Sequence, residues 1–316
     1  MREITRICLF ISALSVSSMA ISCRYSDKQA DTLIITFAGD LLLDRGVRES
    51  IEHLGPDPLF HPSIDSVFSR SDIVVANLEC PATTIEEPIN KRFIFRAEPE
   101  WLNTLKKHGI THLNLANNHS MDQGRSGLID TKSNLQQYGL IPMGFGDNVE
   151  EACRPILIAT NPRNIYVLSS VQVPSENWTY LENEPCVCEA SVDAIIAQIE
   201  GLKHSEVNAV IIVSLHWGAE HTLSPLTSQK QQAHELIDAG ADCIIGHHTH
   251  TVQSIEHYKG KPIYYSIGNF IFDQSKPINS KGLLVSMIIS PSAIQFRNLH
   301  FDIVHCVPRL SSDQKD

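Results

Sequence analysis

Six short apolar runs, rich in β-branched residues, alternate along this chain with longer segments of helical period. Their length and composition are typical of strands that are buried on both faces. The runs are TLIITFAGD (32–40), DIVVANLE (72–79), THLNLANN (111–118), NAVIIVSLHWG (208–218), ADCIIGHHTH (241–250) and KPIYYSIGNF (261–270). Strands that alternate with helices predict an α/β fold built of packed layers.

Four segments between these runs have the apolar spacing of helices, and three of them end in glycine, as helices commonly do. They cover 99–109, 124–139, 189–205 and 226–240. Two further segments, 154–170 and 283–304, consist of paired β-rich runs around a turn and predict hairpins. Hairpins added to the strand–helix alternation predict mixed sheets.

Polar side chains follow each apolar run at its C-terminal end. In α/β sheets, ligands bind beyond the carboxyl ends of the strands. Ordinary loops would bring a mixture of Ser, Lys, Glu and Gly, whereas Asp, Glu, Asn and His are concentrated here. The sequence therefore predicts one site that collects Asp40, Glu79, Asn117, Asn118, His119, His216, the histidines of 247–250, and Asn269.

Carboxylate, amide and imidazole groups without a thiolate suit divalent Mn, Fe, Zn or Mg. The set is larger than one catalytic zinc needs. A carboxylate that bridges two ions about 3.5–4 Å apart would use all of it, and such pairs serve displacement at phosphorus. On an extended turn, His248 and His250 face the same cluster, so we expect His247 to point elsewhere.

The first 23 residues have the pattern of a secretory signal peptide, with a positively charged start followed by an apolar stretch. Its end, Ala20-Ile21-Ser22-Cys23, resembles a lipobox, so we expect Cys23 to be the lipidated first residue of a bacterial lipoprotein. Residues 24–31 then form a tether. Cleavage near Ala20 or retention as an uncleaved anchor are the alternatives. All three place the rest of the chain outside the cytoplasm.

The charge and the cysteine spacing of the chain exclude some classes of partner and of metal site. The chain carries 36 Asp and Glu against 25 Lys and Arg, a net charge of −11, and no basic run follows its first residues. This argues against nucleic acid as a partner. The eight cysteines lack the C-x-x-C spacing of metal sites, and oxidising surroundings permit disulfides. No stretch after the leader is long and apolar enough to span a membrane.

Six segments together carry a family resemblance: FAGDLLLDRGV (37–47), VVANLECP (74–81), KRFIFRAEPEWLNTLKKHGITHLNLANNHSMDQGRSGL (91–128), LHWGAEHTLSPLTSQ (215–229), IDAGADCIIGHHTHTVQSIE (237–256) and YYSIGNFIFDQ (264–274). In this order they resemble the CapA/PgsA family of bacterial capsule-synthesis proteins, which is associated with poly-γ-glutamate capsules. The resemblance implies a metallophosphoesterase-like fold. This is a four-layer αββα sandwich of two mixed β-sheets flanked by helices, forming a single domain over 32–310.

The resemblance also implies roles for individual residues. Two divalent ions would be held by six ligands: Asp40 and His250 on the first ion, Asn118, His216 and His248 on the second, and Glu79 between them. His119 would be the catalytic general acid, with Asp122 orienting its imidazole. Arg45 and Asn269 would contact the substrate. Independently of the resemblance, the position of Glu220 in HWGAE, directly after a strand end, makes it a candidate for lining the substrate pocket.

Two positions depart from the pattern of metallophosphoesterases. These enzymes usually carry D-x-H at the first strand, but position 42 is Leu, so the first ion lacks one imidazole. The bridging residue is Glu79, one methylene longer than the usual Asp. Both changes fit the capsule family better than the phosphatases, and they leave open the occupancy of the first metal site and any phosphatase activity.

The function that follows is a membrane-anchored, extracytoplasmic protein of capsule or surface-polymer biosynthesis or export, with a metal site capable of hydrolase chemistry. Its partners would be an anionic surface polymer or a phosphoester substrate, the membrane through the lipid anchor, and a capsule-synthesis complex. The alternatives are a metal-dependent phosphoesterase without a capsule role and a non-catalytic polymer-binding protein.

Overall fold

The computed structural model describes residues 32–174, 176, 181–274 and 276–311. All of them belong to the compact unit formed by residues 31–316. The signal peptide, the lipidation at Cys23 and the 24–31 tether that the sequence predicts all fall outside the described residues. Within the described part of the chain, no helix combines the length and the apolar character needed to cross a membrane.

Strands form at the apolar runs and at both predicted hairpins. Those of the first half are β1 (Leu33–Leu41), β2 (Ile73–Leu78), β3 (His112–Asn114), β4 (Ile141–Met143), β5 (Phe145–Gly146), β6 (Ile156–Ala159), β7 (Ile165–Val171) and β8 (Cys186–Val187). Those of the second half are β9 (Val210–His216), β10 (Cys243–His247), β11 (Ile255–Tyr258), β12 (Lys261–Tyr264), β13 (Asn269–Ile271), β14 (Lys281–Ile289), β15 (Ile294–Val304) and β16 (Val307–Leu310).

Helices form in all four predicted segments and in three others. They are α1 (Gly46–Leu54), α2 (Pro62–Phe68), α3 (Leu102–Lys107), α4 (Gly124–Gln137), α5 (Val149–Ala152), α6 (Val192–Ser205) and α7 (Thr227–Ala239). Short 3-10 turns cover Asp57–Leu59 and Pro99–Trp101. The Ser191 side chain caps α6 by accepting a hydrogen bond from the amide of Ala194.

Two large mixed sheets contain most of the strands. One has the order β16-β15-β14-β1-β2-β3-β4, and β13 also pairs with β1. In it β1 to β4 and β13 are parallel, whereas β14, β15 and β16 run antiparallel to their neighbours. The other sheet has the order β11-β12-β10-β9-β7-β6, with a parallel centre and antiparallel edges.

Three apolar cores separate four layers. The core between the sheets takes alternate residues from each strand, for example Ile35 and Phe37 from β1 and Val210 and Ile212 from β9. The other face of the larger sheet packs under α1 to α4, and the other face of the smaller sheet packs under α6 and α7. The predicted four-layer sandwich of two mixed sheets flanked by helices is therefore confirmed.

The sixth run, 261–270, was expected to form one strand, and this prediction is wrong. Its first half forms β12 in the smaller sheet and its end begins β13 in the larger one. The chain turns at Gly268, where φ is 74°, a conformation that glycine adopts without strain. The amide of Asp40 donates to the Gly268 carbonyl at 3.0 Å, so this turn lies directly against the end of β1.

Candidate metal centre

The carboxyl ends of the parallel strands of both sheets meet at one edge of the sandwich. In the larger sheet, Asp40 lies level with Asn77 on β2 and with Asn269 on β13. In the smaller sheet, His216 lies level with His247. The two sheets touch here, because the side-chain nitrogen of Asn77 is 3.3 Å from Nδ1 of His216. The predicted convergence of strand ends therefore occurs between the sheets.

Asp40 is fully buried at the end of β1 and is surrounded by donors. Its Oδ1 accepts from Asn77 at 2.9 Å and lies 3.1 Å from His247 Nδ1, and its Oδ2 lies 3.3 Å from His250 Nδ1. Burial opposes ionisation, but the hydrogen bonds and charges of the two histidines together hold the pKa of Asp40 well below its ordinary value. Asp40 is therefore anionic at neutral pH.

Glu79 is the opposite case, a buried carboxyl without hydrogen bonds. Neither of its side-chain oxygens has a hydrogen-bond partner among the described residues, and burial raises the pKa of Glu79 well above its usual value. Its Oε1 lies 3.7 Å from Nε2 of His216 and 3.7 Å from Nε2 of His250. An unsatisfied buried carboxylate between imidazoles is the arrangement that a cation would stabilise.

Two groups of side chains could each hold a metal ion. One is Glu79, His216 and His248, and the other is Asp40, Glu79 and His250, with the ligand atoms of each group within 4.8 Å of one another. Glu79 belongs to both. The residues present thus fit two divalent ions that share one carboxylate, and the donor set of oxygen and imidazole nitrogen suits such ions.

Asn118 joins the second group through its side chain. Its Oδ1 lies 2.8 Å from His216 Nε2, which in turn lies 3.1 Å from His248 Nδ1. Burial lowers the pKa of His216 well below its usual value, and burial with the charge of His250 lowers the pKa of His248 to about 4. Both imidazoles are therefore neutral near pH 7, which is the form that binds metal ions.

His250 completes the first group. Its Nδ1 lies 2.9 Å from Asn269 Oδ1, and although burial opposes protonation, the charges of Glu79 and Asp40 raise the pKa of His250 to about 9. Both His248 and His250 have positive φ, 87° and 56°. Such backbone conformations are costly for residues other than glycine and occur often at functional sites.

His247 does not point away from the cluster, as the alternation along an extended turn predicts. Its Nδ1 faces Asp40 Oδ1 at 3.1 Å, and its side chain is buried. The reason is that His247 ends β10 in regular register and the chain turns only afterwards, at the positive φ of His248. His247 therefore holds the carboxylate of the first group.

His119 and Asp122 lie together beside the two groups. His119 Nδ1 is 2.8 Å from Asp122 Oδ2, which also accepts from the amide of Phe95 at 2.7 Å. The Phe95 ring packs on the imidazole at 4.4 Å. Burial lowers the pKa of His119, and the neighbouring Asp122 opposes this shift. The pair has the geometry in which a carboxylate orients an imidazole.

Arg45 lies at the rim of the site and is held rigidly. Asp273 accepts from its Nε at 3.0 Å and pairs with a terminal nitrogen at 2.7 Å. The guanidinium lies 5.6 Å from the Phe95 ring and 5.9 Å from the Phe272 ring, and Phe272 packs on His250 at 4.8 Å. Arg45 has a φ of 56° and a side chain that is 37% exposed, so a fixed cation reaches solvent next to the rings that pack on His119 and His250.

The two other predicted substrate contacts differ in accessibility. Asn269 is fully buried, and its Nδ2 donates to Gln274 at 3.1 Å and to the Asn279 carbonyl at 3.1 Å. Its amide hydrogens are thus used internally, and its oxygen orients His250. Glu220 is 48% exposed, and its charge affects the pKa of Glu79, His248 and His250. It lies at the open side of the site.

Three residues of the centre carry no prediction from the sequence. Asn77 links Asp40 to His216, and its own oxygen accepts from the amides of Asn114 and Asn117 at 3.3 and 3.1 Å. Its position near the end of β2, two residues before Glu79, is a signal that could have revealed it, because side chains two apart on an extended chain point the same way. Lys91 contacts Asp122, and Asp273 holds Arg45. Both come from loops, where periodicity carries no information.

The comparisons with known proteins point to one group of relatives. The family model described as "Bacterial capsule synthesis protein PGA_cap" matches residues 34–274. The PGA biosynthesis protein CapA of Bacillus subtilis (strain 168) is 35% identical over 254 residues, which cover 79% of this chain and 65% of that protein. The capsule biosynthesis protein CapA of Bacillus anthracis is 30% identical over 272 residues, covering 84% and 66%.

A probable polyglutamine synthesis accessory protein of Mycobacterium tuberculosis is 31% identical over 290 residues, covering 77% of this chain and 75% of that protein. The chain spans just under two thirds of the length of the two Bacillus relatives. Among solved structures, TT1561 of Thermus thermophilus superposes with a TM-score of 0.45 and 8% identity, covering 84% of this chain and 99% of that one.

Proposed function

Because this chain belongs to the family of bacterial capsule synthesis proteins, we propose that it acts in the synthesis or export of a capsular polymer of the poly-γ-glutamate type and that it uses a two-metal site able to hydrolyse a bond. The family resemblance predicted from the sequence is confirmed. The two Bacillus relatives are named as proteins of PGA biosynthesis and of capsule biosynthesis. Their substrates and partners come to this chain only as part of the proposal.

The environment of the Glu79 carboxyl group is the main support for the proposed metal site. A carboxylate with no hydrogen-bond partner in the described residues, buried between His216 and His250, is unfavourable unless a proton or a cation neutralises its charge, and a divalent ion would do so with ligands already in place. It belongs to both candidate groups, so one residue accounts for two ions. Asp40 and His250 would hold the first ion with it, and Asn118, His216 and His248 would hold the second.

Two divalent ions bound here would supply Lewis-acid activation and charge neutralisation for hydrolysis of a phosphoester or a polymer amide. The protein's own part is the control of a proton. Asp122 engages Nδ1 of His119, which leaves Nε2 as the ring nitrogen that takes up a proton and, in the imidazolium form, gives it to a leaving group. Phe95 and Phe272 cover the imidazoles of His119 and His250 and exclude water from them.

The position of Arg45 at the rim of the site favours the binding of an anionic substrate. Its pairing with Asp273 uses Nε and one terminal nitrogen, so the other terminal nitrogen is the one offered to a ligand. A carboxylate or a phosphate would suit it. Because the guanidinium is clamped beside Phe95 and Phe272, it would hold the anionic group at a fixed position relative to the metal groups.

The same proposal includes an extracytoplasmic location with a lipid anchor at Cys23. Support comes from the signal-peptide pattern and from the disulfide between Cys153 and Cys188, because disulfides persist mainly in oxidising compartments. Labelling cells with a radioactive fatty acid tests the anchor. The wild-type chain should incorporate the label and Cys23→Ala should not. Equal labelling of both would exclude lipidation at this residue.

Turnover by the purified chain tests the catalytic part. With added Mn²⁺, the wild-type protein should cleave either a generic phosphodiester or poly-γ-glutamate, and His119→Ala should lower the rate by roughly 10²–10⁴-fold with metal content unchanged. Cleavage of the phosphodiester alone would favour a phosphoesterase without a capsule role. Polymer binding without cleavage of either compound would favour the non-catalytic alternative.

A further inference from the structure

Lys91 has an enclosed side chain beside the His119–Asp122 pair. The side chain is 2% exposed, and Lys91 belongs to neither candidate metal group. Removing an ammonium group from water is costly unless opposite charges and hydrogen-bond acceptors replace the water. The contacts of Lys91 therefore identify what its charge serves.

The ammonium of Lys91 joins two parts of the turn that follows β3. Its Nζ donates to the backbone carbonyl of Asn118 at 2.8 Å and lies 2.9 Å from Asp122 Oδ1. A lysine has three donors and no acceptor, so it fits a carbonyl and a carboxylate at once. One side chain thus fixes a predicted metal ligand relative to the carboxylate that orients His119.

The same contacts fix the imidazole of His119. Its Nδ1 lies 2.8 Å from Asp122 Oδ2 and 3.4 Å from Lys91 Nζ. An ionised carboxylate only accepts hydrogen bonds, so Nδ1 carries the proton that is donated to Asp122. With Lys91 on the other oxygen, the carboxylate cannot rotate away from His119 without breaking the ion pair.

The segment that carries Lys91 is attached to this turn on both sides of it. The amide of Ile89 donates to the Asp122 carbonyl at 3.1 Å, and the amide of Phe95 donates to Asp122 Oδ2 at 2.7 Å. Residues 92–94 between these anchors are exposed. Lys91 is therefore held inside while the tip of the segment reaches solvent.

We infer that Lys91 is a positioning residue, whose ammonium holds Nδ1 of His119 on Asp122 and holds the carbonyl of Asn118, so that Nε2 of His119 is kept available for substrate. The inference rests on the proposed function in two places, the proton transfer assigned to His119 and the metal site that includes Asn118. Because Lys91 contacts both Asp122 and the Asn118 carbonyl, we expect loss of its ammonium group to free the His119 imidazole to rotate and the Asn118 backbone to shift.

The test compares the full chain with Lys91→Met and Lys91→Arg, and with Lys107→Met as the control. Lys107 is 58% exposed and pairs with an exposed Asp57, so its loss removes a surface ammonium only. Long-range ¹⁵N–¹H spectra of the metal-free proteins report which nitrogen of each imidazole carries the proton. The signal of His119 is identified by its absence in His119→Gln.

The wild-type protein, Lys107→Met and Lys91→Arg should all show His119 protonated at Nδ1. Lys91→Met should show a mixture of the two neutral forms. In calorimetric titrations with Mn²⁺, Lys91→Met should also bind at least one ion about tenfold more weakly, the size of effect expected for an outer contact of a ligand.

Three results would overturn the inference. The first is a wild-type His119 protonated at Nε2, which does not depend on any variant folding. The second is a Lys91→Met protein with the wild-type imidazole signal and Mn²⁺ affinity within about twofold of wild type. The third is an equal change in folded Lys91→Arg and Lys91→Met, which would show that side-chain shape matters and charge does not. A wild-type protein without turnover but with these spectra would count against the catalytic proposal and leave the positioning role standing.

Discussion

Glu79→Gln should abolish most of the stabilisation that divalent metal gives to this protein. Glutamine keeps the shape of the side chain and removes its charge, so the apolar packing around it is preserved. Because Glu79 belongs to both candidate groups, the variant should lose tight binding of both ions. His248→Ala removes a ligand from one group only and should spare the other ion.

The magnitude follows from mass action. An ion that binds only the folded chain, at a concentration of 100 times its Kd, adds about 2.7 kcal/mol, so two ions add about 5 kcal/mol. In a domain of this size, 1 kcal/mol corresponds to about 2–4 °C in Tm. Saturating Mn²⁺ should therefore raise the Tm of the wild-type protein by about 10–20 °C. His248→Ala should show about half of this rise and Glu79→Gln almost none of it.

Thermal unfolding with and without Mn²⁺, followed by reversal with a chelator, measures these shifts. Glu235→Gln is the matched control, because Glu235 is an exposed carboxylate on α7, and it should behave as wild type. A Glu79→Gln protein that keeps the full rise in Tm would refute the shared carboxylate. A wild-type protein with no rise would refute the metal site itself.

Three other substitutions test separate parts of the account. Asn77→Leu removes the donor to Asp40 and should weaken Mn²⁺ binding about 10–100-fold in calorimetric titrations; unchanged affinity would contradict its supporting role. His247→Ala should weaken Mn²⁺ binding less than His250→Ala, because His247 contacts Asp40 from outside both groups; equal losses would make it a ligand. Burial opposes ionisation of Asp242, but hydrogen bonds from two lysines and a backbone amide lower its pKa in the folded protein. A lowered pKa stabilises the folded protein at pH values above the pKa of an aspartate in the unfolded chain, about 3.9, and this stabilisation is lost as the pH falls. In urea unfolding between about pH 5 and pH 2, wild type should therefore lose about 2 kcal/mol more than Asp242→Asn, and parallel pH profiles would count against this ion pair.

The strand ends were predictable because the signal is local. Asp40, Glu79 and His216 each follow a β-branched run directly, and the parallel pairing of the strands brings such ends to one edge. The same reasoning, with the family resemblance, predicted the four-layer sandwich. The roles assigned to the individual ligands are consistent with the geometry and stay predictions until metal binding is measured.

The errors came from places where the chain leaves regular structure. The run 261–270 looks continuous in apolar character, yet it passes from one sheet to the other at the positive φ of Gly268. His247 belongs to the regular register of β10, and alternation fails only after it. A side-chain period describes a strand and does not say at which residue the strand ends.

The loop residues of the site could not be predicted from the sequence for a different reason. Lys91 and Asp273 act through partners that are distant in sequence: Lys91 lies 31 residues before Asp122 and Asp273 lies 228 residues after Arg45. Neither position has a periodic signal, because loops do not repeat. Their contacts depend on the tertiary fold, which places the 89–95 segment and the end of β13 against the strand ends.

Anomalous X-ray diffraction from crystals grown with Mn²⁺ tests the central claim most directly, because it locates the ions without assuming their ligands. The account predicts two peaks about 3.5–4 Å apart, with the Glu79 carboxylate in contact with both. One peak should lie against Asp40 and His250, and the other against His216 and His248. A single peak, two peaks without Glu79 between them, or no peak at this edge of the sandwich would contradict it.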